Sequence, residues 1–178
     1  MIFLRFVWLQ IIVGLATTNL WAENVFAEIL NHSSEKFSVS TQTTDAASYR
    51  VYLLASKEME LRLTVGTKPF YDSILPTGKD LYLGYADTLV SDARLLDRDK
   101  SRVSASLRSH EPESIVVAKQ EFFWGVYYFQ KEATDTRPIL GITTMYKNYP
   151  LYITGRMNQE VDENLVRQII GMIWKWKD

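Results

Sequence analysis

The chain contains no cysteine. Disulfides, thiolate nucleophiles and cysteine-ligated zinc or iron–sulfur centres are therefore excluded. The same absence leans away from an extracellular eukaryotic domain and toward a bacterial periplasm, since 178 residues can bury an adequate core without disulfides. Histidine is scarce. His32 and His110 lie far apart and belong to no spaced ligand or HExxH pattern. There is no GxSxG elbow and no GxGxxG fingerprint, and "TGKD" at Thr77 to Asp80 lacks the preceding glycines of a phosphate loop. Asp92, Asp97 and Asp99 resemble a carboxylate cluster, but a calcium loop needs a central glycine and a terminal glutamate. Here Arg94, Arg98, Lys100 and Arg102 compete with any cation, so the stretch reads as a solvated charged face. No catalytic residue, cofactor or metal ligand is assigned. A dispersed pair such as Glu121 with Glu132 stays open, because carboxylate pairs are recognised by geometry rather than by motif.

A basic field is also missing. The segment "MIFLRFVWLQIIVGLATTNLWAEN" carries one early charge, Arg5, then an apolar run from Phe6 to Ala16, then Ala22 before the first acid, Glu23. That order is expected of a secretory signal peptide at 1–22, leaving a single domain at 23–178. An uncleaved anchor is the alternative, although the run is short of the roughly 20 apolar residues of a span. Cleavage removes Arg5 and no acid, leaving 19 basic and 21 acidic residues and a net charge of −2. Nothing in that balance attracts nucleic acid or an anionic bilayer. Contact with a membrane is expected only through an uncleaved amino end.

What is present is alternation. "KFSVST", "YRVYLLAS" and "MELRLTVG" read as strands, the last with Glu60, Arg62 and Thr64 on a wet face. "VFAEIL" is either a strand or a first helical turn. "PTGK" predicts a turn, and "DLYLGYADTLV" alternates Leu81, Leu83 and Tyr85 as a further strand would. "RVSASLRS" favours a strand, with a helix as the alternative. "RPILGITTMY", the turn "KNYP" and "LYITGRM" form an antiparallel hairpin. From Asn158 onward, Val161, Leu165, Ile169 and Met172 or Ile173 recur at helical spacing. Asn158 or Asp162 is the cap, and acids lead while Lys175 and Lys177 trail. The fold class is α+β, a single antiparallel sheet packed against a C-terminal helix.

The stretch Phe122 to Phe129 holds six aromatic residues in eight positions. As a strand it carries Phe123, Gly125, Tyr127 and Phe129 on one face, and Phe122, Trp124, Val126 and Tyr128 on the other. Ordinary antiparallel strands keep one wet face, so this one is expected to be central and covered twice, with the C-terminal helix over one side. Tyr127 and Tyr128 point opposite ways, so one of them could reach a rim. A partly exposed aromatic face is the other reading.

The final third, "RPILGITTMYKNYPLYITGRMNQEVDENLVRQIIGMIWKWKD", resembles the closing hairpin and helix of PsbP/Mog1/DcrB-like domains, with Glu163-Asn164 at the acidic helix start. The resemblance implies an antiparallel sheet flanked by helices and an exported, non-catalytic accessory or binding role. The early aromatic-plus-proline strand of that group is not evident here. The expectation is thus a periplasmic, non-enzymatic protein that contacts another envelope protein. Trp124, Tyr127 and Tyr128, together with Arg94, Asp97 and Arg98, are the candidate contact residues. The alternatives are an envelope hydrolase with a dispersed carboxylate or histidine site, a small-ligand carrier, and a toxin-immunity protein.

Overall fold

Alternating apolar residues separated by tight turns are laid out as one antiparallel sheet in the computed structural model. It describes residues 26–42, 49–67, 76–84, 107–109, 111–129 and 137–174. The strands are β1 (Ser38–Gln42), β2 (Tyr49–Ala55), β3 (Glu60–Gly66), β4 (Leu107–Ser109), β5 (Glu113–Val117), β6 (Gln120–Phe129), β7 (Ile139–Tyr146) and β8 (Tyr149–Arg156). They lie in the order β1-β2-β3-β8-β7-β6-β4, and β5 also pairs with β6. Among the described residues three helical segments pack on the sheet: α1 over residues 26–33, α2 over 78–84 and α3 at Glu163–Ile173. Among the described residues no helix is long and apolar enough to cross a membrane. The proposed leader and its cleavage site lie outside the described residues.

Two hairpins are closed by pairs of residues held in left-handed backbone. Lys147 (φ 48°) and Asn148 (φ 66°) join β7 to β8, and Ala118 (φ 45°) and Lys119 (φ 65°) join β5 to β6. Positive φ at both central positions is the type I′ geometry, whose twist matches the strands it connects. The predicted β7–β8 hairpin is therefore present, paired from Ile139–Arg156 to Tyr146–Tyr149.

The main core lies on one face of the sheet. Leu54, Leu61, Leu63, Leu140, Ile142, Leu151, Ile153, Phe122 and Trp124 point to the same side, where α1 and α3 rest. Helix α3 buries Leu165, Val166, Ile169, Ile170 and Ile173. Burying five such side chains contributes roughly 10 kcal/mol before chain entropy is set against it. Asp162 caps the helix, its Oδ1 accepting the Leu165 N–H at 2.8 Å. At the other end Trp174 packs edge-on against Phe122 (6.1 Å) and Tyr146 (4.4 Å). Phe122 is fully buried. The aromatic strand is thus an interior strand of the sheet, roofed by the terminal helix as its two apolar faces predict.

Helix α1 resolves the ambiguity of "VFAEIL". Phe26 and Ile29 enter the core, and Phe26 meets Tyr149 edge-on at 5.5 Å. Ser33 Oγ donates to Ile29 O (2.8 Å) and Ile173 O (3.3 Å), which ties the ends of α1 and α3 together.

Two expectations are corrected. Residues 78–84 are helical, although Leu81 and Leu83 alternate as a strand would. The local reason is a reciprocal cap: Asp80 N–H donates to Thr77 Oγ1 at 3.1 Å, and Thr77 N–H donates to Asp80 Oδ2 at 2.9 Å. The Thr77 N–H, together with the Thr77 hydroxyl donating to the same Oδ2 at 2.8 Å, also holds the Asp80 carboxyl below its usual range. In the helix Leu81 is buried and Leu83 is open. The wet face of β3 dries along its length, from exposed Glu60 to half-buried Arg62 to buried Thr64. The greater part of "RVSASLRS" lies outside the described residues, and its end forms β4.

Candidate functional site

The second face of β6 is built around two glycines. Gly125 and Gly141 are direct cross-strand partners. Without side chains they leave a flat floor, and two tyrosine rings lie on it. Tyr82 from α2 covers Gly125, and Tyr127 covers Gly141. The rings stack at 5.0 Å with planes 20° apart, and Tyr127 Oη donates to the Tyr82 carbonyl at 3.3 Å. Thr143 Oγ1 donates to Gly78 O at 2.7 Å and fixes the start of α2 on β7. A satellite core of Leu81, Tyr82, Tyr127, Ile139 and Tyr152 results, with Phe123 and Met145 packed against it. The Tyr82 hydroxyl is buried without a hydrogen-bond partner. Burial pushes this phenol up from 10.0 to about 12, opposed in part by the nearby Tyr127 hydroxyl.

The candidate contact residues do not form an open patch. Trp124 is 7% exposed and faces α3, while Tyr127 is 0% exposed under α2. Both rings serve as core anchors, one on each side, which corrects the expectation of an open aromatic surface at these two positions. For Tyr128 the backbone alone is described, paired with Arg108. Arg94, Asp97 and Arg98 lie outside the described residues, as do Asp92, Asp99, His110 and Glu132.

Among the described residues, the large apolar side chains that stand open are Leu83 (49%), Val116 (58%) and Tyr49 (37%). Val116 was hidden in "SIVVAKQ", where three consecutive apolar residues conceal which of them points inward. Its register opposite Glu121 puts it on the face that α2 covers, while Ile115 enters the core.

His32 is a structural residue. Its Nε2 lies 3.0 Å from the Gly171 carbonyl, which makes that nitrogen the donor, and Nδ1 lies 3.6 Å from Glu35 Oε2. The ring thus joins α1 to α3. Glu121 is exposed, and its backbone carbonyl accepts from Thr144 Oγ1 at 2.6 Å. Among the described residues no three His, Asp or Glu side chains converge as metal ligands would.

The two edges of the sheet differ. Along β6, Ser109 pairs with Tyr127 and Glu113 with Trp124, so the pairing of the outer edge is broken between β4 and β5. Arg167 on α3 reaches over this edge. Its Nη1 donates to Val116 O at 3.2 Å, while Nε and Nη2 hold Glu163 at 2.8 and 2.6 Å. Strand β1, at the opposite edge, pairs with β2 through five uninterrupted partners.

No family model matches the chain, and no curated protein does. The fold resembles that of PsbP. The solution structure of cyanobacterial PsbP (CyanoP) from Synechocystis sp. PCC 6803 is similar over 77% of this chain and 78% of that one, at 13% identity and a TM-score of 0.43.

Proposed function

We propose that this is an exported, non-enzymatic accessory protein of the cell envelope that works by contact with another protein. The observation that supports it is the placement of Leu83 and Val116. Both are large, apolar and about half open, whereas among the described side chains every aromatic one except Tyr49 is buried or half-buried. Isolated open apolar side chains are common, but Val116 and helix α2, which bears Leu83, lie on the same side of the sheet, and the two side chains would together offer a contact surface. The charged stretch Arg94, Asp97 and Arg98 follows α2 in the chain and would supply a rim that steers encounter. Export rests on the order of charge, apolar run and small residue before Glu23.

The test is affinity capture from the host envelope with the wild-type chain and a Leu83→Lys, Val116→Lys double variant. A specific partner should be retained by the first and lost by the second, with the two melting together. Equal capture by both proteins overturns the surface. Turnover of an envelope substrate with no partner captured overturns the function. The intact mass of exported protein should correspond to a chain beginning at Glu23.

A further inference from the structure

We propose that β1 is a self-pairing edge through which two copies of this chain join their sheets about a two-fold axis at Ser40. A strand at a sheet edge offers a row of unpaired N–H and C=O groups, and proteins usually block such rows with charge, proline, a bulge or a covering side chain. The β4–β5 edge uses several of these devices: Pro112 at the break between the two strands, the exposed Glu113 and the Arg167 guanidinium on the Val116 carbonyl. Among the described residues the β1 strand carries no charge, proline or bulge, and the side-chain bond it receives is from Arg62 Nη2 to Gln42 Oε1 at 3.0 Å. Its sequence is Ser-Val-Ser-Thr-Gln, without charge or proline, and its register to β2 is regular across all five residues. Among the described residues β1 is the outermost strand on that side, and four of its five side chains are exposed.

The composition also selects the occupant. Laid antiparallel against itself so that all five residues overlap, the strand pairs Ser38 with Gln42, Val39 with Thr41 and Ser40 with Ser40. No like charges meet, and the Val39–Thr41 pairs are of the β-branched type that stabilises a ladder. Val39 already packs against the main core, so the new pair extends the covered face of the sheet rather than opening another. A symmetric contact of this kind closes as a dimer and leaves no further edge of the same type exposed. The pairing is independent of the contact through Leu83 and Val116.

A chain without cysteine gives a clean test. A single Ser40→Cys places two thiols directly opposite each other, within the Cα range of a disulfide. A single Ser38→Cys leaves its two copies about 13 Å apart along the strands, too far to bridge. Under mild oxidation Ser40→Cys should give a covalent dimer and Ser38→Cys should not. In sedimentation equilibrium the unaltered protein should show a monomer–dimer equilibrium, and Ser40→Lys should weaken it about tenfold by facing two ammonium groups across the axis. Because Ser40 is exposed, Ser40→Lys should leave the melting temperature of the monomer unchanged. A strictly monomeric protein, equal cross-linking of the two cysteine variants, or a dimer indifferent to Ser40→Lys would each overturn the proposal. So would a β1 edge protected from hydrogen exchange only when a different envelope protein is added.

Discussion

Gly125 is held by its neighbour rather than by its own backbone angles. A Cβ added there would meet the Tyr82 hydroxyl, and at Gly141 it would lie 2.5 Å from the Tyr127 ring. Neither tyrosine can withdraw easily, since the rings stack on each other. Gly125→Ala should therefore destabilise the fold by about 1–3 kcal/mol in urea titration, an overpacking cost. Gly171 is the control. It sits in α3, and a methyl group added there would meet no atom within 4 Å. Gly171→Ala should thus stabilise by about 0.5–1 kcal/mol through helix propensity alone. Tyr82 gives a pH signature. Its folded pKa, about 12, is above the unfolded 10.0, so the folded state favours the protonated phenol. The stability this contributes is complete below pH 10 and is lost as pH rises toward 12. Tyr82→Phe removes a hydroxyl that is buried without a partner and should flatten that alkaline loss without lowering stability at neutral pH. A wild-type and variant pair of denaturation curves that stay parallel from about pH 9 to 12 would count against this.

Among the elements, the β5–β6 turn is the least well matched to its residues. Alanine at φ 45° is in the left-handed region that favours asparagine or glycine. Replacing Ala118 and Lys119 by Asn-Gly should stabilise the hairpin by about 1 kcal/mol, read as a rise in the urea midpoint without a change in slope. The Lys147-Asn148 turn already holds an asparagine and should gain less from glycine at the second position. At the start of α3, Asp162→Ala removes the acceptor of the Leu165 N–H and should cost about 1 kcal/mol. The Glu163–Arg167 pair on the same helix is half exposed, so its ionic part adds little. Its value lies in where it holds the guanidinium, against the Val116 carbonyl at the closed edge of the sheet.

At the scale of the whole molecule, two cores share one sheet. The larger lies under α1 and α3, and the smaller lies under α2. Strand β6 contributes to both, through Phe122 and Trp124 on one side and Tyr127 on the other. The two sides should therefore melt together. Ile170→Ala, in the larger core, should cost about 2–5 kcal/mol and lower the thermal transition as a single step. Far-ultraviolet signals from the sheet and near-ultraviolet signals from the tyrosine stack should lose intensity at the same temperature. Separate transitions would mean that α2 and its tyrosines form an independent unit.

Much of this architecture was legible in residue order. Period-two patterning placed β1, β2, β3, β7 and β8, and the period of the last helix placed α3, while the structure chose Asp162 over Asn158 as its cap and left Val161 before it. The two apolar faces of Phe122 to Phe129 implied cover on both sides, because neither could be left in water. Alternation misled at Leu81 and Leu83, where a Thr77–Asp80 cap and a place over Gly125 favoured one short helix. The contact surface was the least legible part. Whether a tyrosine or tryptophan is open depends on what lies above it, and helix α2, distant in sequence, covers Tyr127. Local pattern determined which segments are strands and helices, since backbone pairing and side-chain parity act between near neighbours. The packing of distant segments decided which apolar side chains remained outside, and left Leu83 and Val116 there.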